Sequence, residues 1–172
     1  MGDIFVLVEH RQGKIRDISY EMVGLGEKIA TQQGATLTAL LLGKDVNSFA
    51  EDLATRAPKV LVVEDDQLEN FNALCYQKVI SSLISKYQPL LTLIGHTAFG
   101  MDLAPSLSVE IGLPMVTDSI GLSLEGNQLK GTRSIYGGKV NATISLKESK
   151  GYVATVRPGV FGPKTPGDKK GG

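Results

Sequence analysis

The sequence predicts an α/β domain: a three-layer, open, mostly parallel sheet with helices on both faces, extended at its carboxy-terminal end by antiparallel hairpins. Three observations carry this. Short, almost continuously apolar runs such as Ile4 to Val8 and Leu90 to Ile94 are what strands covered on both faces require. Between them lie segments whose apolar residues recur at helical spacing. After Gly112-Leu113-Pro114 the helical segments stop, and β-prone segments follow one another across turn sequences such as Glu125-Gly126-Asn127.

Taken in order, Ile4 to Val8 supplies the first strand. Asp17 or Ser19 stands where it can cap a helix that carries Met22, Val23, Leu25, Ile29 and Ala30 on one stripe and stops at Gly34. Gly24 and Gly26 inside it lower its intrinsic helicity. Thr36 to Leu42 is the second strand, followed by a helix from Asp45 to Arg56 through Val46, Phe49, Ala50 and Leu53. Lys59 to Val63 is the third. A helix from Asn70 to Tyr87 cannot continue through Pro89, so Leu90 to Ile94 begins the next strand, and a helix spans about Met101 to Ile111. Four strand-helix units in series imply parallel strands joined by right-handed crossovers. Ser119 to Leu124, Leu129 to Ile135, Lys139 to Leu146 and Tyr152 to Val156 then read as the strands of the added hairpins. Residues 1–161 form one domain. Residues 162–172 have no apolar side chain with which to pack and read as a flexible tail or interdomain linker.

Composition narrows the function classes. With 42% hydrophobic and 21% charged residues in 172, the chain can bury a sizeable core. Lys plus Arg equals Asp plus Glu at 18 each, so no net field draws it to nucleic acid or an anionic membrane. Cys75 stands alone, which excludes an internal disulfide and a cysteine-based zinc cluster and suits a reducing compartment. No apolar run approaches the roughly 20 residues of a membrane helix, and Met1 to Glu9 has no signal-peptide pattern. The expected location is the cytoplasm, or the mitochondrial matrix if the source is eukaryotic.

The most informative stretch is Gly95 to Pro105, where a buried strand ends in a glycine-bounded turn leading into a helix. It carries His96, Thr97, Phe99 and Asp102. His96 titrates near neutrality when unperturbed, but no nucleophile or paired base stands nearby, and the favoured reading has His96 and Thr97 bonding loop backbone while Asp102 caps or braces the helix. Gly95 and Gly100 could admit a phosphate to a helix start, yet neither common phosphate fingerprint is present, and turn formation is the favoured role. In Tyr136-Gly137-Gly138-Lys139 the glycines suit positive φ in a tight turn, and Lys139 either binds an anion or partner carboxylate or guards a strand edge. Arg157, before Pro158-Gly159, is the preferred polar anchor, either to Asp102 or Asp118 or to a phosphate or partner. Glu64-Asp65-Asp66 lacks calcium-loop spacing, and Cys75 sits at an apolar helical position.

Strand-Glu9-His10, Gly95 to Pro105, Tyr136-Gly137-Gly138-Lys139 and Thr155 to Phe161 stand in the order seen in electron-transfer flavoprotein alpha subunits. The chain resembles the amino-terminal domain of that family over nearly its whole length. The resemblance implies an adenine-nucleotide alpha-hydrolase-like fold. It also implies an alpha/beta heterodimer carrying FAD, which takes electrons from dehydrogenases and passes them to an acceptor. FAD would be held mainly by a carboxy-terminal domain with no counterpart here, AMP or a second FAD would lie on the beta subunit, and this domain would be a noncatalytic scaffold contacting beta. No cofactor, metal or catalytic residue is therefore expected on this chain. The family shows basic residues where this chain has Met101 and Ser106, so a phosphate or acidic-partner role for that helix is not carried over. The rival expectation is a stand-alone adenine-nucleotide binder or hydrolase, and a third is a structural homodimer joined through hairpin edges.

Overall fold

The computed structural model describes residues 2–167. Six strands form a parallel core: β1 (Asp3–Leu7), β4 (Thr36–Gly43), β5 (Lys59–Glu64), β6 (Leu91–Gly95), β7 (Met115–Glu125) and β10 (Tyr152–Val156). With β8 (Gln128–Ile135) and β9 (Val140–Ser145) added antiparallel, the sheet order is β5-β4-β1-β6-β10-β7-β8-β9. A small hairpin, β2 (His10–Arg11) with β3 (Lys14–Ile15), closes on Gln12-Gly13 and was not foreseen. The helices are α1 (Asp17–Gln33), α2 (Asn47–Ala54), α3 (Ala73–Tyr87) and α4 (Ala98–Ile111).

Period-two alternation splits the apolar strand residues between two cores. Ile4, Val6, Leu37, Ala39 and Ala154 face α1 and α2, while Phe5, Leu7, Leu40, Leu42 and Val153 face α3 and α4. Gly26 lets α1 lie close to the sheet, since a Cβ there would come within 2.8 Å of Leu37 Cδ1. The helix tolerates its glycine because packing outweighs propensity. No described helix is long and apolar enough to cross a membrane.

Four expectations change. Tyr152 to Val156 is not a hairpin strand: β10 runs parallel between β6 and β7, with all five residues buried. The α4 helix starts at Ala98 rather than Met101, because Thr97 takes the capping position and its Oγ1 accepts from Gly100 N–H. Neither Asp17 nor Ser19 caps α1; Arg16 occupies that position without a side-chain cap. The described part of the terminal segment, 162–167, expected to be a flexible tail or interdomain linker, makes hydrogen bonds to the domain. Lys164 N–H donates to Tyr20 O, Gly167 N–H donates to Thr55 O, and Arg56 Nη1 donates to Lys164 O at 2.6 Å. It lacks apolar anchors, as its composition says, but backbone groups hold it instead. Residues 168–172 lie outside the described part.

Candidate functional site

From β1 the chain steps outward through β4 to β5, then crosses back to place β6 on the other side of β1. Strand order reverses between β1 and β6, and an open α/β sheet places its crevice at the carboxyl ends of strands flanking such a point.

Here the crevice is filled by the chain's own polar groups. Glu9, two residues past the end of β1, is only 6% exposed. Its N–H donates to Ser19 Oγ at 2.8 Å, and Ser19 Oγ donates to Glu9 O at 3.0 Å, which ties the loop to α1. Thr97 Oγ1 donates to Glu9 Oε1 at 2.5 Å. The carboxylate thus sits at the start of α4, where the helix dipole favours negative charge, with Arg16 Nε 3.8 Å from Oε2. Glu21, also buried, accepts the Gly159 N–H on both oxygens at 3.1 Å.

A second group closes the end of β10 against the first half of β7. Arg157 donates through Nε to Asp118 Oδ1 at 2.9 Å and through Nη2 to Asp118 Oδ2 at 2.6 Å. Of the two carboxylates considered from the sequence, Asp118 is the partner. The Arg157 hydrogen bond, against the opposing effect of burial, holds the Asp118 carboxyl below its ordinary value. Asp118 N–H donates to Thr155 Oγ1 at 2.8 Å, and the same hydroxyl lies 3.0 Å from His96 Nδ1. His96 N–H donates to Val156 O at 2.7 Å. Asp118 has φ 53°, and the chain bends there. Met115 pairs with Val153 near the start of β10, Ser119 pairs with Val156 at its end, and Asn127 O accepts from Tyr152 Oη back at the start.

His96, Thr97 and Arg157 therefore converge on one edge, but Phe99 and Asp102 do not join them. Phe99 stacks on Phe71 with centroids 3.5 Å apart and meets Tyr76 edge-on, in the core beneath α3 and α4. Asp102 is exposed on α4, and the cap it was expected to supply belongs to Thr97. Tyr136 to Lys139 form the β8–β9 turn, with Tyr136, Gly137 and Gly138 all at positive φ. Glu9 and Glu21 escaped sequence reading as site residues. For Glu9 the available signal was an acidic residue directly after a fully apolar strand.

Chemically, this edge is a set of internal ties. Gly100 has a packing role: a Cβ there would lie 1.8 Å from Gly95 O, so the glycine permits α4 to press against the end of β6. The edge does not fit the phosphates of a dinucleotide, because the Glu9 carboxylate stands at the helix start where a phosphate would bind. Among the described residues, no three His, Cys, Asp or Glu side chains group as metal ligands.

Fold and edge together define a doubly wound α/β domain with an antiparallel arm and a self-occupied switch point. Residues 4–172 match the electron transfer flavoprotein domain, and the chain belongs to that family. It is 35% identical over 161 residues to the electron transfer flavoprotein subunit alpha of Clostridium acetobutylicum, covering 92% of this chain and 48% of that protein. Against the same subunit of Megasphaera elsdenii the identity is 36%, with 92% and 48% covered. The acryloyl-CoA reductase electron transfer subunit beta of Anaerotignum propionicum is 30% identical, with 92% and 50% covered. The chain spans about half the length of the curated relatives it matches.

Proposed function

We propose that this chain is the amino-terminal scaffold and subunit-interaction domain of an electron-transfer flavoprotein alpha subunit. The family match over residues 4–172, at half the length of the relatives, carries the reading. In it the chain belongs to an alpha/beta heterodimer that moves electrons from dehydrogenases to an acceptor, in the cytoplasm or the mitochondrial matrix. It is part of an electron carrier rather than an enzyme. FAD is held mainly by polypeptide outside this chain, and AMP or a second FAD resides on beta. The edge geometry supports this division, since Glu9, Glu21 and Asp118 use up hydrogen-bond donors that a nucleotide would need.

A stand-alone nucleotide binder or hydrolase of the same fold is not favoured, because its phosphate would meet a buried carboxylate. The decisive experiment mixes the chain with a beta-type electron-transfer flavoprotein subunit from the same source. Co-elution as a stable complex, with the chain alone colourless, is the expected result. A flavin absorbance band carried by the isolated chain would overturn the assignment.

A further inference from the structure

At the amino-terminal edge of the sheet, opposite the switch point, the last turns of α3 and α4 and the approach to β10 line a cavity of about 310 Å³. Its floor is apolar, with Ile84 5% and Leu113 6% exposed. Gly151 completes that floor with backbone: a Cβ there would lie 2.8 Å from Pro89 O and 3.2 Å from Leu113 Cδ1, so no side chain intrudes. The volume stands at the lower end of small-molecule sites, which run from roughly 300 to 1,000 Å³, and suits a ligand of about ten non-hydrogen atoms rather than a nucleotide.

Two polar features of opposite sign face this space. Gly151 is buried, and its amide N–H has no acceptor among the described residues. Lys150, which precedes it, also lines the cavity and joins no ion pair among the described residues. A buried N–H without an acceptor is costly, and beside an ammonium its natural complement is a carboxylate. The second feature is Glu110. Gln77 Nε2 donates to its Oε2 at 2.6 Å, which leaves Oε1 without a donor among the described residues. Glu110 stands in the last turn of α4, where the helix dipole disfavours a negative charge and favours a cation beside it. Glu110 and Lys150 thus line one cavity without pairing with each other, as the two ends of a dipolar ligand require.

We propose that this cavity binds a small aliphatic amino acid as its zwitterion. The carboxylate accepts from the Gly151 N–H beside the Lys150 ammonium, the ligand's ammonium donates to Glu110, and the aliphatic part lies on Ile84 and Leu113. The site goes beyond the subunit-interaction reading and does not depend on it, since it occupies the opposite edge of the sheet from the switch point.

The test is titration of the full chain with L-norvaline, followed through the backbone amide NMR signals of Ser85, Gln88 and Gly151, which all line the cavity. Valerate, which lacks the ammonium, and butylamine, which lacks the carboxylate, are the comparison probes. L-Norvaline should shift these three signals with a dissociation constant of about 1 mM, the scale of a ligand this small. Each singly charged probe should bind about tenfold more weakly. Lys150→Gln and Glu110→Gln, both at exposed positions outside the two cores, should keep the wild-type spectrum elsewhere and each weaken L-norvaline about tenfold. In addition, Lys150→Gln should cost valerate its binding and spare butylamine, and Glu110→Gln should do the reverse. Signals that stay unmoved at about 10 mM L-norvaline overturn the site. Binding by both variants that equals the wild type, or probes that bind as well as L-norvaline, overturns the zwitterion. Each of these results leaves the subunit reading standing.

Discussion

Gly100 and Asp118 are the two residues whose backbone does most to shape the carboxyl edge. At Gly100 the obstacle is the carbonyl of Gly95, which cannot swing aside as a side chain would. Gly100→Ala should therefore cost about 3 kcal/mol or more, read as a lower urea midpoint with an unchanged slope. Asp118 works through charge. Its carboxyl titrates lower in the folded chain than the ordinary 3.8, so the pair with Arg157 stabilises fully above that value. The contribution is lost as the pH falls through the depressed folded value. Asp118→Asn should unfold at lower temperature than the wild type at neutral pH, and the gap should close in acid. A gap independent of pH down to 2, the low end of the scan, would refute this account of the pair.

Among elements, the terminal segment and the arm show how composition and placement part company. Residues 162–167 hold no large apolar side chain, yet Arg56 spans three partners: Asp52 Oδ1 at 3.2 Å from Nη2, the face of Tyr20 at 4.2 Å, and Lys164 O. Burial and the Asp52 hydrogen bond push the Tyr20 phenol up to about 12, and its hydroxyl donates to Asp52. Arg56→Ala should speed tryptic cleavage after Lys164 about tenfold, the scale of one charge-assisted hydrogen bond. Unchanged cleavage would show that the segment is held elsewhere. In the arm, β7 changes from a parallel partner of β10 to an antiparallel partner of β8 within one strand. The bend at Asp118 makes that change, and the Thr155 hydroxyl and Arg157 hold it there.

For the molecule as a whole, the switch point that often receives nucleotides in this architecture is closed by Glu9, Thr97, Glu21 and Gly159. Titration with ATP, ADP and AMP at millimolar concentration should produce no binding heat. Tight binding of any of them that His96→Ala abolished would restore the nucleotide-binder reading. What the molecule offers instead is a cavity at the opposite edge of the sheet, in a family whose relatives named here are electron-transfer subunits.

Much of this was legible in the chain. Continuous apolar runs marked β1, β4 and β6, because a strand covered on both faces needs apolar residues at every position, and the edge strand β5 showed a similar run although it is only partly covered. The order of motifs marked the family, and Arg157 was identified as an anchor with Asp118 among its candidate partners. The rest was decided in three dimensions. Tyr152 to Val156 has the composition of a buried strand, but its place between β6 and β7 depends on where a gap in the sheet lies. Glu9 and Thr97, 88 residues apart, meet only because strand order reverses between their loops. Local sequence thus determined which segments became strands and helices, since periodicity and caps act over a few residues. The pairing of distant polar groups, and the meeting of Glu110, Lys150 and Gly151 at one cavity, were decided by the tertiary structure alone, because hydrogen bonds and burial depend on proximity that no local pattern encodes.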